Sequence, residues 1–426
     1  VDPRTGQYTL GIELPSLAGN DLTGPQLPLR LSFNPINDQD SGFGTGWHLA
    51  LTQYVPGTRM LTLHTGESFK VTGSGPQPSI REKKLDTFHF HDDTEVNKKQ
   101  YRVVHKSGLV EVLEPFGDRS PVALPTQVLA PTGHAIKLSY TLFQGNYCLE
   151  SIVDGNARQL LKLTYSASPI TIDLHPGAGP GGTPYARYTL ELLNRQLIKV
   201  KLPTDKGSWR FEYDTVRNLT CLKKLWTPAG GAEEIYYEDE GHLLPGAPNR
   251  AALPRVTTHL VYPTADQPRL KTTYTYTHFD SEAGVELNNS FVGTNSGITW
   301  RDDGEDNLYR TDTSYRYSVT AHHWLGEQQV RKQTLTYNRY HLMTLQTLEQ
   351  DGHIEETDLA FHELPGATFE QQPANFQLPH TMTKRWKLRD DADKLRTETA
   401  TTDYDLHGNL IEEVQPTGIR TTYTYY

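Results

Sequence analysis

Alternation with a period of two residues dominates this chain. Thr272–Phe279 reads Thr-Thr-Tyr-Thr-Tyr-Thr-His-Phe, and Ser314–Val319 and Thr421–Tyr425 repeat the design. One face of each segment carries rings and the other small polar groups, as half-buried strands require. Thr and Tyr both favour extended backbone. Helical periodicity is weak throughout. Its best candidate is Lys384 to Arg396, whose charges suit a long hairpin equally well. The last residues predict a full unit: a strand into Tyr404–Asp405, a turn over Asp405–Gly408, a strand from Asn409 to Val414, a turn over Gln415–Gly418 and a strand from Ile419 to Tyr426. Asp at a turn's first position can bond its own backbone, Pro416 suits the second position, and Gly408 and Gly418 tolerate positive φ.

The unit recurs. Tyr140 follows Gly133 by seven residues, and Tyr425 follows Gly418 by the same seven, each after Pro-Thr-Gly. Tyr213–Asp214 comes six residues after Gly207 of the Asp205–Gly207 turn, and Tyr236–Tyr237 comes six and seven after Gly230. Tyr213 to Tyr237 is 24 residues, Tyr337 to Phe361 is 24 with Asp351–Gly352 between, and Tyr404 to Tyr425 is 21. Two short strands and two turns need about that length, so the period marks a repeated hairpin.

The 34 Gly and 27 Pro fit dense turns and short strands in an all-β chain, and 426 residues exceed a usual single core. A formal charge of −10 leaves no footprint for nucleic acid. Arg81–Lys84 and Lys223–Lys224 are short basic clusters that read as solvated turns. No run of about twenty apolar residues suggests a membrane-spanning helix. Cys148 and Cys221 cannot form a disulfide framework or a zinc cage alone, and read as free, packed thiols.

Candidate chemistry is sparse. His89 and His91 share a strand face, and His322–His323–Trp324 lies on an alternating strand, but neither shows a third metal ligand. Asp302–Asp303 and Glu355–Glu356 are adjacent pairs whose members point to opposite faces, which does not suit a glycosidase. No Gly-x-Ser-x-Gly elbow occurs. Near the start, Gly42, Gly44 and Gly46 precede Trp47–His48–Leu49. A phosphate loop would need a following helix, so this stretch predicts a crossing where backbones meet closely around Phe43 and Trp47.

Together these elements resemble the Rhs and YD-repeat family of Tc-toxin and teneurin-like β-shells. The carriers are the Tyr-Asp pairs Tyr213–Asp214 and Tyr404–Asp405 with Gly408, Asn409, Pro416, Gly418 and Tyr425. At the other end they are Asp2 and Gly6 in the opening Val-Asp-x-x-Thr-Gly, and Gly44, Gly46 and Trp47 in Gly-x-Gly-Trp. The strips His64–Phe69 and Lys106–Glu111 look alike too, so the resemblance covers essentially the whole chain. It implies an antiparallel hairpin strip curling into part of a hollow cocoon, with a shell region over residues 1–130 and a repeat array over 131–426. It further implies a structural fragment, not an enzyme, with no cofactor and no metal. The toxin would lie beyond the C-terminal end, the self-cleaving core after the last repeats, and both ends would be cut. Its partners would be that toxin, the remaining shell repeats, and a type VI spike or Tc translocation pore. The protein would be made in a bacterial cytoplasm and secreted or delivered. Two other classes compete: a carbohydrate- or surface-binding module, which exposed ring stripes would favour, and a propeller-like hydrolase, which converging carboxylates would favour. An open strip would also leave the Ile419–Tyr426 edge free to pair with another copy.

Overall fold

The computed structural model describes residues 1–37, 41–117, 121–204, 207–247, 249–264, 266–280, 285–287 and 298–425. Within them every regular element is a strand, apart from 3-10 turns at Asn20–Leu22, Pro180–Gly182 and Asn307–Arg310. Antiparallel strands follow one another hairpin by hairpin along one long sheet, which ends at Arg420–Thr422. The fold is an all-β repeat strip, as the alternation predicts. The Lys384–Arg396 segment is the hairpin, with strand Pro379–Leu388 paired to Asp391–Tyr404.

The turns share one geometry. At His105–Leu109, Ala130–His134, Thr227–Gly231 and Gln415–Ile419, the first and fifth residues close the hairpin and the fourth N–H bonds back to the first carbonyl. The fourth residue is Gly108, Gly133, Gly230 or Gly418, at φ between +82° and +93°. This is a type I turn followed by a left-handed residue, a common three-residue hairpin connection. A second set adds a side-chain cap. Asp405 Oδ1 accepts the His407 and Asn409 N–H groups at 2.9 and 2.8 Å, with Gly408 at φ +78°. Asp154 and Asn338 do the same in turns whose left-handed residues are Ala157 and His341.

Two regions of the strip differ in thickness. The first 49 residues supply a separate three-stranded sheet, Leu10–Ala18, Gln26–Phe33 and Trp47–Leu49. Leu27, Leu29, Leu31 and Phe33 alternate inward from it and pack on Val128, Ile136, Ile152, Leu161, Leu190, Phe211, Leu222 and Val256 of the long sheet. Here the strip is a two-layer sandwich. The strands Met343–Gln350, His353–Phe361 and Pro379–Leu388 carry no fully buried side chain, and both of their faces are largely half-buried, whereas Tyr337 at the end of Gln328–Asn338 is buried against Leu308 and Tyr315. One face is knitted by ion pairs across strands, Lys332–Glu349 and Lys387–Glu356, both 2.7 Å.

Strands from Gln53–Val55 to Val122–Leu129 wrap a smaller aromatic core of Tyr54, Phe88, Phe90 and Tyr101, closed where Ala123 pairs with Tyr54. This unit bends back onto the late repeats. The Lys106 ammonium donates to His407 O and Asn409 Oδ1 at 3.1 Å, Lys84 donates to Gln372 O at 2.8 Å, and Arg81 donates to Asp303 O at 3.1 Å. The strip is thus curled, yet among the described residues the last strand pairs only with Leu410–Val414. That strand is shorter than the sequence suggests. It ends at Thr422, and Ile419 instead closes the turn through its carbonyl. Tyr426 and the Asp205–Lys206 part of the earlier predicted turn lie outside the described residues.

Candidate functional site

Four of the tyrosines that set the sequence period, Tyr140, Tyr213, Tyr237 and Tyr425, perform one recurring task, which Tyr165 and Tyr276 share. Six phenol hydroxyls donate to a main-chain carbonyl of the preceding strand: Tyr140 to Pro125, Tyr165 to Leu149, Tyr213 to Leu197, Tyr237 to Leu222, Tyr276 to Val256 and Tyr425 to Leu410, at 2.6–2.9 Å. The acceptor always sits at a β-bulge. Tyr213 opposes Leu222 where Lys223 is skipped, Tyr140 opposes Leu149 where Glu150 is skipped, and Tyr404 opposes Leu410 where Ile411 is skipped. A bulge bends its strand and interrupts pairing. The ladder to the next strand accordingly starts beyond the acceptor. Lys199–Lys201 pair with Ser208–Arg210, leaving Leu197 outside the ladder. A buried carbonyl without a donor costs free energy, and the next repeat's phenol supplies the donor. Each of these six phenols therefore latches its repeat to the one before it.

Burial pushes the Tyr213, Tyr237 and Tyr276 phenols well above their ordinary value, so the donating proton stays on oxygen. Where a repeat lacks the ring at this position, Thr402 Oγ1 donates to Pro379 O at 2.7 Å, beside the bulge at His380.

The opening motifs join this system. Asp2 Oδ1 caps its turn by accepting the Arg4 and Thr5 N–H groups, and Gly6 O accepts the Val256 N–H at 2.8 Å. A Cβ on Gly6 would meet the Arg255 Cβ at 2.8 Å, so the docked turn admits only glycine. At Gly44 a Cβ would meet Arg195 O at 2.8 Å, and at Gly46 it would strike the Phe33 ring. The glycine run is the close crossing that the sequence suggests, and it delivers Trp47 to the core. Trp47 is fully buried, and its indole N–H donates to Tyr213 Oη at 2.8 Å. One tyrosine thus ties the first motif, its own repeat and the previous bulge together. Of the other predicted residues, Asp214 faces solvent beside Lys223, and Asn409 braces the Asp405 turn through Oδ2 at 2.9 Å. Pro416 and Gly418 form an exposed turn, and the Tyr404 ring stands edge-on to His362.

Chemistry-bearing groups were also placed. His89 bonds Gln77, His322 bonds Gln329 and His323 bonds Thr272, so neither histidine pair converges on a third ligand among the described residues. Asp302 pairs with Arg250, and Glu356 with Lys387. Cys148 and Cys221 are buried, each one residue before a bulge acceptor, and burial pushes the Cys221 thiol up to about 12. Two clusters that sequence reading missed do converge: His64, His105 and Glu111, and His362, His380 and Asp403. Burial pushes the Glu111 carboxyl up, but hydrogen bonds from His105, His64 and Thr52 outweigh it and hold it at about 2. No local pattern marks either trio, because each draws members from more than one hairpin.

Comparison with known proteins is sparse. No family profile matches the chain, and no curated protein matches it. Among solved structures it is similar to the N-terminal domain of effector protein SpvB from Salmonella typhimurium strain LT2. That match has 12% identity and a TM-score of 0.30, over 59% of this chain and 98% of that one. It is also similar to the Photorhabdus luminescens Tc holotoxin pore in a TccC3 mutant form, at 10% identity and 0.28, over 97% of this chain and 25% of that one. A TcdB2–TccC3 structure without the hypervariable C-terminal region gives 11% and 0.25, over 99% and 23%. The chain spans about a quarter of the length of those two Tc chains. Likenesses this distant assign no family.

Proposed function

We propose that this chain is a segment of a β-shell wall that encloses a polypeptide cargo, a toxin, for delivery. The observation that carries the reading is the stretch formed by strands Met343–Gln350, His353–Phe361 and Pro379–Leu388, none of which has a fully buried side chain. There a single sheet stays half-buried on both faces while every strand is fixed to its neighbours by pairing and ion pairs. A wall needs two faces, one toward solvent and one toward contents, and stability gathered from neighbour contacts instead of a central core. Tyrosine latches provide such neighbour contacts, and the curl toward Lys106 gives the strip its concavity. In this role the segment is architecture and performs no catalysis. Its partners are further repeats of the same shell, the cargo, and delivery machinery of the type VI spike or Tc pore kind. The parent is made in a bacterial cytoplasm and secreted or delivered.

A glycan-binding module is the competing reading. Of the exposed tyrosine rings, Tyr147, Tyr185 and Tyr236 are scattered and Tyr423 and Tyr425 alone are neighbours, and four tryptophans already hold a cation over the ring. Arg210 and Lys224 lie near Trp226, Arg250 over Trp300, Lys271 over Trp324 and Arg396 over Trp386, at 5.0–5.7 Å. Cation stacking of this kind occupies ring faces that a sugar would need.

The test places single cysteines on opposite faces of one of these strands, in the full-length product of the gene. Thr347 lies between Thr334 and Glu356 on the ion-paired face, and Gln346 lies between Leu335 and Thr357 on the other. Thr347→Cys and Gln346→Cys should react with a bulky maleimide at rates differing tenfold or more. Equal rates would refute an enclosing wall.

A further inference from the structure

We propose that His64, His105 and Glu111 form a binding site for one divalent transition-metal cation of the zinc class. The three side chains each offer a ligand atom, and these atoms lie within 4.8 Å of one another. His64 Nδ1 is 3.6 Å from Glu111 Oε1, and His105 Nε2 is 2.7 Å from the same oxygen. Tetrahedral zinc with bonds of about 2.0–2.1 Å sets its ligand atoms roughly 3.3 Å apart. The first separation fits as it stands. The second is a hydrogen bond whose bridging proton the metal would replace, with the pair opening by about 0.6 Å to reach that spacing.

The surroundings suit a held cation. Glu111 is 5% exposed as a side chain, and among the described residues its ion pairs are with the two histidines alone. A buried carboxylate needs a counter-charge, and no lysine or arginine supplies one here. Thr52 is fully buried and works on two ligands at once. Its hydroxyl donates to Glu111 Oε1 at 2.9 Å and accepts the His64 backbone N–H at 3.1 Å. Such outer bonds orient metal ligands.

The backbone is equally fixed. His64 lies in the Leu63–Glu67 turn, and His105 opens the His105–Leu109 turn, both closed by the paired bonds of the common hairpin geometry. Glu111 lies just past the second turn, on strand Val110–Phe116, where it opposes Val103 and Val128. The His64 side chain is 30% exposed, which leaves an entry path and room for water as a fourth ligand. The cation would pin the Leu63–Glu67 turn to the Tyr101–Phe116 hairpin, on the unit that contacts the late repeats.

The experiment uses the full chain, stripped with chelator, then given Zn2+ and desalted, with bound metal counted by plasma mass spectrometry. Co2+ replaces Zn2+ in a parallel sample, and its visible absorption reports the coordination. One equivalent of zinc, and cobalt bands of four-coordinate intensity, are expected. His64→Ala and Glu111→Gln should each weaken binding tenfold or more, while Asp403→Asn, at the second trio, should leave it unchanged. Far-UV circular dichroism shows that each variant is folded. Should Glu111→Gln fail to fold, the half-exposed His64→Ala decides alone. Less than 0.2 equivalents in the unaltered chain, or full binding by folded His64→Ala, or loss of binding with Asp403→Asn, would overturn the assignment.

Discussion

Replacing Tyr213 with Phe removes one oxygen and tests the latch directly. Tyr213 Oη donates to Leu197 O at 2.6 Å and accepts the Trp47 indole N–H at 2.8 Å. Phe keeps the ring contacts with Phe33 at 6.0 Å, so packing is conserved and only the two bonds are lost. Each bond leaves behind a buried group without its partner, at about 1–3 kcal/mol apiece. Water entry lowers the sum, so we expect a loss of about 2–4 kcal/mol for Tyr213→Phe. Tyr425 makes the same kind of bond to Leu410 O at 2.8 Å, but it is 56% exposed and water can replace the hydroxyl. Tyr425→Phe should then cost less than about 1 kcal/mol. The assay is urea unfolding followed by circular dichroism and tryptophan fluorescence, with midpoint shifts compared at a shared m-value. A cycle with Trp47→Phe should show coupling of about 1 kcal/mol or more between the two sites. Equal, small losses for Tyr213→Phe and Tyr425→Phe would refute the claim that phenols satisfy carbonyls stranded by the bulges.

Four further outcomes follow from the local geometry. Gly408→Val should destabilise the Asp405–Asn409 turn by about 1–3 kcal/mol, since φ is +78° and a Cβ would meet the Leu85 side chain at 3.0 Å. Gly418→Ala at φ +85°, where a Cβ has open space, should cost only the backbone share, about 1 kcal/mol. Glu82 accepts the Asp306 backbone N–H, and burial, with Asp306 and Glu305 nearby, pushes its carboxyl up to about 7 from 4.5. The folded state therefore binds this proton more tightly than the unfolded chain, so stability falls as pH rises from about 4.5 to about 7 and stays lowered above that. Glu82→Gln should flatten that slope and stabilise the chain at pH 8 by about 1–2 kcal/mol, below the unscreened figure because the group is partly solvated. An unchanged pH profile in thermal unfolding would contradict it. Finally, the edge at Arg420–Thr422 should drive concentration-dependent association of the isolated chain, and light scattering reporting a strict monomer at high concentration would count against an open edge.

Much of the all-β strip was legible from residues alone, and the reasons are local. Period-two alternation at Thr272–Phe279 and the Asp405–Gly408 turn depend on neighbours in sequence, so pattern and turn chemistry suffice. The glycine run before Trp47 announces a close crossing because φ near +90° and missing Cβ atoms leave few other uses. What sequence hid is long-range. The tyrosine period is visible, yet its cause is a skipped residue on the facing strand, as at Lys223 opposite Tyr213, and a bulge has no composition of its own. In the strand Gln26–Phe33, Pro28 and Arg30 blur the alternation on the exposed face, while Leu27, Leu29 and Leu31 carry the buried one. His64, His105 and Glu111 meet only once two hairpins stack, so no spacing along the chain could bring them forward.

The enclosing wall is tested most directly by a single-particle density map of the full-length gene product, read over the strands from Gln328 to Leu388. The account predicts that one face of this single sheet borders a closed cavity holding polypeptide density, while the other faces solvent. A map in which both faces meet bulk solvent, with no enclosed chain, would contradict it.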